Sequence, residues 1–469
     1  MTSAKADLWT GKRPIAALTR AFDAAAQGRF VPYFLLLLLT LGVYLPGVVR
    51  LPAVDRTEIV FADTTRDMVA RGAWMDPRYG DTVHQFRPVG TFWAQGIAAT
   101  LAGPERSRDM TVYRWPSLVA VVLSVLAVFR LAIPCVGRPA ALFAAGLLAV
   151  APLLVLVSQL AIADGLAVLP ATVAMLVLMR LYDPVAGQND RRLALLFWAA
   201  MGAGMLVNAL HTPILVGVTV LALFAFDRDL RWLRRTQPLV GVPIALALAA
   251  PWLAVRVMQD GVPFSGMGWH EFLAALGGAQ DMKLRAFPGT FLAAALIGFL
   301  PGVALLPAAL KRLWDDRARR LPRFLLAWTL GYIVYLELLS SKPGTYTVQV
   351  MYPAFALAVA ILVMDRRGVA ELPKWSLVPW PPVAAAFALT ALAGCVFAVM
   401  TAALLRAKVA GRLTVFQRSA NWMIARGDRP FKPWETWVLT NVPGALRLYR
   451  AFLWGIAELM LYPVMRQHP

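Results

Sequence analysis

The residues most able to do chemistry are scattered carboxylates and cations at the ends of apolar runs. Asp164 is the sharpest case: it closes the short connection Ser158-Gln159-Leu160-Ala161-Ile162-Ala163, and no other acid follows up to residue 181. An ionisable group at the edge of such a run is costly, so its default reading is functional, as a general base or a cation ligand. An Asp here also suits the first-turn amides of a helix, and the two roles are compatible. Glu58 opens a stretch of helical composition from Thr57 to Arg71, ending at Gly72, where the positive end of the helix dipole favours an anion. It reads either as a base or metal ligand, or as a charge that satisfies its own helix terminus. Glu58 and Asp164 are the candidates for a divalent metal; no other cofactor is implied. Arg87 precedes Pro88, and Lys342 lies in Ser340-Ser341-Lys342-Pro343-Gly344-Thr345-Tyr346. Two cations at one interface can hold a phosphate, or each can snorkel to lipid headgroups. His84, His211 and His270 are too far apart in sequence to form a zinc motif. No Walker loop, nucleophile elbow or HExxH occurs, so the chemistry favours an activated donor that already lies in the membrane.

The elements that must position these residues are membrane helices. Of 469 residues, 59% are hydrophobic, and the mean hydropathy is +0.63. Leu, Ala and Val runs without a period of two exclude an outer-membrane barrel. Runs near 30–50, 113–133, 139–158, 165–181, 193–210, 213–226, 239–257, 288–309, 324–340, 351–364 and 381–405 give an all-α polytopic protein. On the roughly 20 residues needed per span, they suggest about eleven transmembrane helices, in a range of 11–13.

The net charge of +20 would suggest nucleic acid in a soluble protein, but here Lys and Arg gather in alternate short loops. That pattern sets orientation, with residues 1–29 as a cytoplasmic tail and no nucleic-acid partner. Two long loops fall outside. The loop 54–112 mixes acids and arginines and holds two stretches suited to interfacial helices, up to Arg71 and from Val89 to Leu101. The loop 258–287 carries His270, Lys283 and Arg285. Residues 406–469, with Trp422, Trp434, Trp437, Trp454 and many arginines, read as an interfacial segment after the 30–405 membrane domain. Cys135 and Cys395 read as packing residues in or beside apolar spans.

The order of segments resembles the bacterial GT-C glycosyltransferases related to aminoarabinose transferase and protein O-mannosyltransferase. The matching pieces are Thr57-Glu58 through Asp63 with Arg66-Asp67-Met68, Phe86-Arg87-Pro88-Val89 with Phe92-Trp93, and Arg114-Trp115-Pro116-Ser117. Asp164, Ser341-Lys342 with Tyr346, and Tyr352-Pro353 complete the series. The resemblance implies a GT-C-like fold in a bacterial inner membrane, with the active site facing the periplasm. It also implies an inverting transfer of a sugar from a polyprenyl-phosphate carrier to a lipid, glycan or protein. Glu58, Asp164 and Asp55 would then be the catalytic carboxylates. Arg87, Lys342, Tyr346, Lys283 and Arg285 would contact the donor phosphate, with Thr57, His84, Arg114 and His270 elsewhere in the pocket. The second long loop would act as a gate.

Three departures bear on this. Thr57 stands where the family commonly has Asp, leaving Glu58 or the nearby Asp55 to serve. Arg87 replaces a Lys, which changes geometry while keeping charge. Asn208-Ala209 stands in place of a Lys-Gly pair. These changes point to a different donor or acceptor, or to a degenerate site. A transporter or flippase for a prenyl-linked substrate, and a non-catalytic binder of such a lipid, are the competing readings. A transporter of the inverted-repeat kind would carry polar residues near the midplane, whereas these ionisable groups gather at outer ends.

Overall fold

The computed structural model describes residues 12–51, 53, 55–79, 82–83, 88–208, 210–260, 289–338 and 345–364. Apart from one two-stranded ribbon, pairing Arg78 with Val83, the regular elements there are helical. Helix α1 (Lys12–Gln27) leads into α2 (Val31–Arg50). The long loop after it supplies α3 (Arg56–Arg71) and α4 (Gly90–Ala102). The bundle follows with α5 (Met110–Val136), α6 (Arg138–Ala149), α7 (Pro152–Ser158), α8 (Ala163–Tyr182), α9 (Asp190–Asn208), α10 (His211–Asp227) and α11 (Pro238–Asp260). It ends with α12 (Thr290–Gly298), α13 (Leu306–Asp315), α14 (Arg320–Leu338) and α15 (Tyr352–Met364), the last entered through a 3-10 turn from Thr345.

Helix α8 is the interior post, packed between α5 and α9; in its most apolar stretch 78% of the residues are buried by protein, against 28% for α2. The contrast is written in side chains. In α2, Leu36, Tyr44 and Val48 face the bundle while Phe34 and Leu38 remain more than half exposed, as a lipid-facing stripe requires. Hydroxyls inside the apolar bundle bond back along their own helices, Thr40 to the Leu36 carbonyl, Ser124 to Ala120 and Thr329 to Leu325. This satisfies them without a partner helix.

The expected count of about eleven spans is corrected by helix length. Among the described residues five helices are long and apolar enough to cross a bilayer: α2, α5, α8, α14, and the run Tyr346–Met364. A sixth is gained if α6 and α7, bent by 63°, form one broken span. The other runs fail for visible reasons. Helix α9 opens on Asp190-Arg191-Arg192, which shortens its apolar part. Helix α10 and the apolar stretch Pro238–Trp252 of α11 are shorter than the length needed to cross. The run 288–309 is interrupted after Gly298, turning at Pro301-Gly302 into the amphipathic α13. The run 381–405, the segment 406–469 and most of the loop 258–287 lie outside the described residues.

Candidate active site

The start of α3 is fixed by its own sequence. Asp55 stands at the N-cap with extended backbone, and its Oδ1 accepts the Thr57 N–H at 2.7 Å. The helix stops at Gly72, whose φ of +66° is the left-handed conformation that glycine reaches without steric cost. Capping places Glu58 in the first turn, pointing inward and fully buried.

Glu58 meets Arg114 from the first turns of α5 in a two-pronged ion pair. Arg114 Nε donates to Oε1 at 2.6 Å and Nη2 to Oε2 at 3.0 Å. Arg114 Nη1 also donates to the carbonyls of Val48 and Leu51, the end of α2. Removing both charges from water is expensive, and only such saturated geometry offsets that cost. Glu58 Oε1 further accepts the Ala161 N–H at 3.0 Å, and Gln95 Nε2 of α4 donates to the Ala161 carbonyl at 3.0 Å. Gln95 Oε1 in turn accepts the Thr65 hydroxyl of α3. One peptide unit on each side of Ala161 is thus held, by α3 and α4 respectively.

That hold places Asp164 three residues on. Ile162 occupies the N-cap of α8 with no side-chain cap, and Asp164 lies in the first turn. Its carboxylate, half-buried, has no hydrogen bond or ion pair to another described residue. Only its backbone carbonyl is engaged, by Gln349 Nε2 at 2.8 Å. The helix start can approach α5 this closely because the next residue is Gly165: a Cβ there would meet Ser117 and the Val157 carbonyl at 2.8 Å.

Around Asp164 stand phenols. Tyr346 donates to Asp55 Oδ2 across 3.4 Å, and it lies within electrostatic reach of Asp55 and Asp164 together. Tyr332 of α14 is also within reach of Asp164 and shares a 2.9 Å hydrogen bond with His211 Nε2. Asp55, Tyr346, Asp164, Tyr332 and His211 therefore form one neighbourhood. Glu337, one turn further along α14, accepts the backbone N–H groups of Gly289 and Leu292 and so caps α12.

Of the residues singled out in the sequence, the structure brings Asp55, Thr57, Glu58, Arg114, Asp164 and Tyr346 to this end of the bundle. Arg87, Lys342, Lys283, Arg285, His84 and His270 lie outside the described residues. Among the described residues no group of three or more His, Cys, Asp or Glu gathers to hold a metal ion. Both Glu58 oxygens are already committed, which fits a structural anchor better than a metal ligand. Sequence reasoning missed Gln95, Tyr332 and the Ala161 backbone. For Gln95 a signal existed, an amide in the middle of the otherwise apolar Gly90–Ala102.

A family model described as dolichyl-phosphate-mannose-protein mannosyltransferase matches residues 87–254. The undecaprenyl phosphate-alpha-4-amino-4-deoxy-L-arabinose arabinosyl transferase of Aeromonas salmonicida is 28% identical over 72% of this chain and 60% of its own. The enzyme of that name from Erwinia tasmaniensis is 28% identical over 65% and 54%. This chain thus spans less than two thirds of the length of these relatives. Among solved structures, ArnT from Cupriavidus metallidurans bound to undecaprenyl phosphate superposes with a TM-score of 0.64 at 21% identity, covering 76% of this chain and 64% of that one. The Archaeoglobus fulgidus oligosaccharyltransferase superposes with a TM-score of 0.51 at 14% identity, over 91% of this chain and 59% of that one. The chain is a multi-pass membrane protein of GT-C fold, related in sequence and fold to sugar transferases that use polyprenyl-phosphate donors.

Proposed function

We propose that the chain is a glycosyltransferase that moves a sugar from a polyprenyl phosphate to an acceptor hydroxyl or amine at the outer face of the bacterial inner membrane. The observation that carries this reading is the Asp164 carboxylate, held in place by the Ala161 clamp and left without a hydrogen-bond or ion-pair partner among the described residues. Asp164 removes the acceptor proton as the acceptor attacks the anomeric carbon. The bond from that carbon to the phosphate oxygen breaks, its electron pair leaves with the phosphate, and the configuration inverts. Arg87 and Lys342, with Lys283 and Arg285, are the cations assigned to the departing phosphate. Asp55 and Tyr346 line the same neighbourhood and orient the sugar or phosphate, while Glu58 and Arg114 position Asp164 through Ala161. The named relatives suggest an undecaprenyl-linked donor. Thr57, Arg87 and Asn208-Ala209 depart from the aminoarabinose pattern and favour a different sugar or acceptor.

The test compares lipid and glycan extracts by mass spectrometry from cells carrying the wild-type chain or Asp164→Asn. The variant is expected to accumulate a polyprenyl-phosphate sugar and lose one glycosylated product while retaining wild-type abundance and thermal stability. An unchanged product in a correctly folded variant would overturn the assignment of Asp164 as base. Unchanged extracts on deletion of the whole chain would overturn the transferase reading.

A further inference from the structure

The opposite end of the bundle holds a cavity of about 500 Å³ between the C-terminal ends of α8 and α10, the 3-10 turn Arg231–Thr236 and the start of α14. Its walls include four guanidiniums, Arg231, Arg235, Arg320 and Arg323, against two carboxylates, Asp227 and Asp229. The carboxylates are already spent. Asp227 is ion-paired with Arg323 and accepts the Tyr182 hydroxyl, and Asp229 bonds the Arg231 backbone N–H at 2.8 Å beside a loose 3.8 Å ion pair. Arg320 gives one donor to the Tyr182 carbonyl at 3.3 Å. Arg235 is different. Its guanidinium has no hydrogen bond or ion pair to another described residue, so its donors that face the cavity are available to an anion.

The connection that carries Arg231 and Arg235 is bounded by two non-glycine residues in the left-handed region, Arg228 at φ +54° and Gln237 at φ +49°. Backbone held this way concentrates at ligand clamps. Tyr182 and Trp232, packed edge to face at 5.0 Å, add an apolar wall beside the arginines. These arginines belong to the basic loops that read as cytoplasmic, where basic hollows between helices suit phosphate-bearing headgroups.

From this geometry we propose that the cavity is a phosphate-binding site, distinct from the Asp164 neighbourhood, with Arg235 as its principal donor and Arg231 and Arg320 beside it. The phosphate is carried by an anionic phospholipid of the cytoplasmic leaflet or by a soluble phosphate. The site does not depend on the transferase reading.

The test uses the full chain purified in a neutral detergent. Thermal unfolding is followed against inorganic phosphate, against short-chain phosphatidylglycerol and against phosphatidylcholine of the same chain length, at fixed ionic strength. Stabilisation by phosphatidylglycerol alone supports a lipid headgroup, and stabilisation by inorganic phosphate as well supports a free anion. In either case Arg235→Gln should weaken the effect about tenfold or more, as loss of one charge-assisted hydrogen bond implies. Arg231→Gln, on a side chain 88% exposed, should weaken it less. The proposal is overturned if neither ligand stabilises the protein beyond phosphatidylcholine, or if both variants respond as wild type.

Discussion

Helix α8 starts in one chemical world and ends in another. Its first turn presents Asp164, a carboxylate uncommitted among the described residues and near Tyr332, Tyr346 and Asp55, and its last turn presents Tyr182 to four arginines. Twenty residues of helix separate the two, a length of about 30 Å, which matches the hydrocarbon thickness. Both ends contain an Arg–carboxylate pair, yet the pairs differ. Glu58 and Arg114 are sealed from solvent and saturated by backbone partners, whereas Asp227 and Arg323 sit at a rim with 13% and 22% of their side chains exposed. The sealed pair fixes geometry and leaves the spare charge to Asp164. The rim pair neutralises one arginine of several and leaves the spare charge positive. The bundle thus offers an acid at one end, suited to taking a proton, and donors at the other, suited to holding an anion.

The largest effect that would sharpen this contrast is on catalysis. Asp164→Asn should lower transfer from a polyprenyl-phosphate sugar by about 10²–10⁴-fold, the range for loss of a general base, with the melting temperature unchanged. Turnover in proteoliposomes measures it, and near-wild-type rates would break the division between a working and a structural carboxylate. Next comes stability. Arg114→Met leaves Glu58 as a buried unpaired charge and should destabilise the fold by about 3–5 kcal/mol, seen as a lowered unfolding temperature in detergent. The double change Glu58→Leu with Arg114→Met should recover much of that stability but not turnover, because the Ala161 N–H loses its acceptor. If the double variant is fully active, Glu58 does not position Asp164.

At the other end, Asp227→Asn weakens charge-assisted hydrogen bonds from Arg323 and Tyr182 on a side chain only 13% exposed, and should cost about 1.5–3 kcal/mol while leaving turnover intact. A large loss of turnover would show that the two ends are coupled. The smallest effect belongs to Tyr346→Phe. It removes one long hydrogen bond to Asp55 and should cost about 0.5 kcal/mol, a change in turnover of two- to threefold at most.

Much of this was legible in the residues, and the illegible parts have physical causes. Helix α3 of the first long loop announces itself through local signals, Asp55 and Glu58 at its start and Gly72 at its end. Asp164 stands out because nothing apolar excuses it. The span count was overestimated because hydrophobicity reports avoidance of water without reporting where a helix stops. Runs such as 213–226 and 288–309 keep exposed apolar side chains, Leu221, Leu292 and Ile297 among them, yet form helices too short or too broken to cross alone. The partnership of Glu58 with Arg114 links positions 56 residues apart, and no local pattern encodes such a distance. Arg114 in Tyr113-Arg114-Trp115 signals only that some acid must come to meet it. The arginines of the basic loops stand out in the sequence, but that four of them share a hollow depends on how α8, α10 and α14 converge.

The grip on Ala161 is made through its main chain, on an N–H and a carbonyl that every residue except proline supplies. Mutational drift at 161 is therefore limited by volume alone, since the side chain is fully enclosed, and exchange among small residues should leave the aim of Asp164 untouched. Residues around Asp164 can therefore change while the aim of its carboxylate is inherited intact.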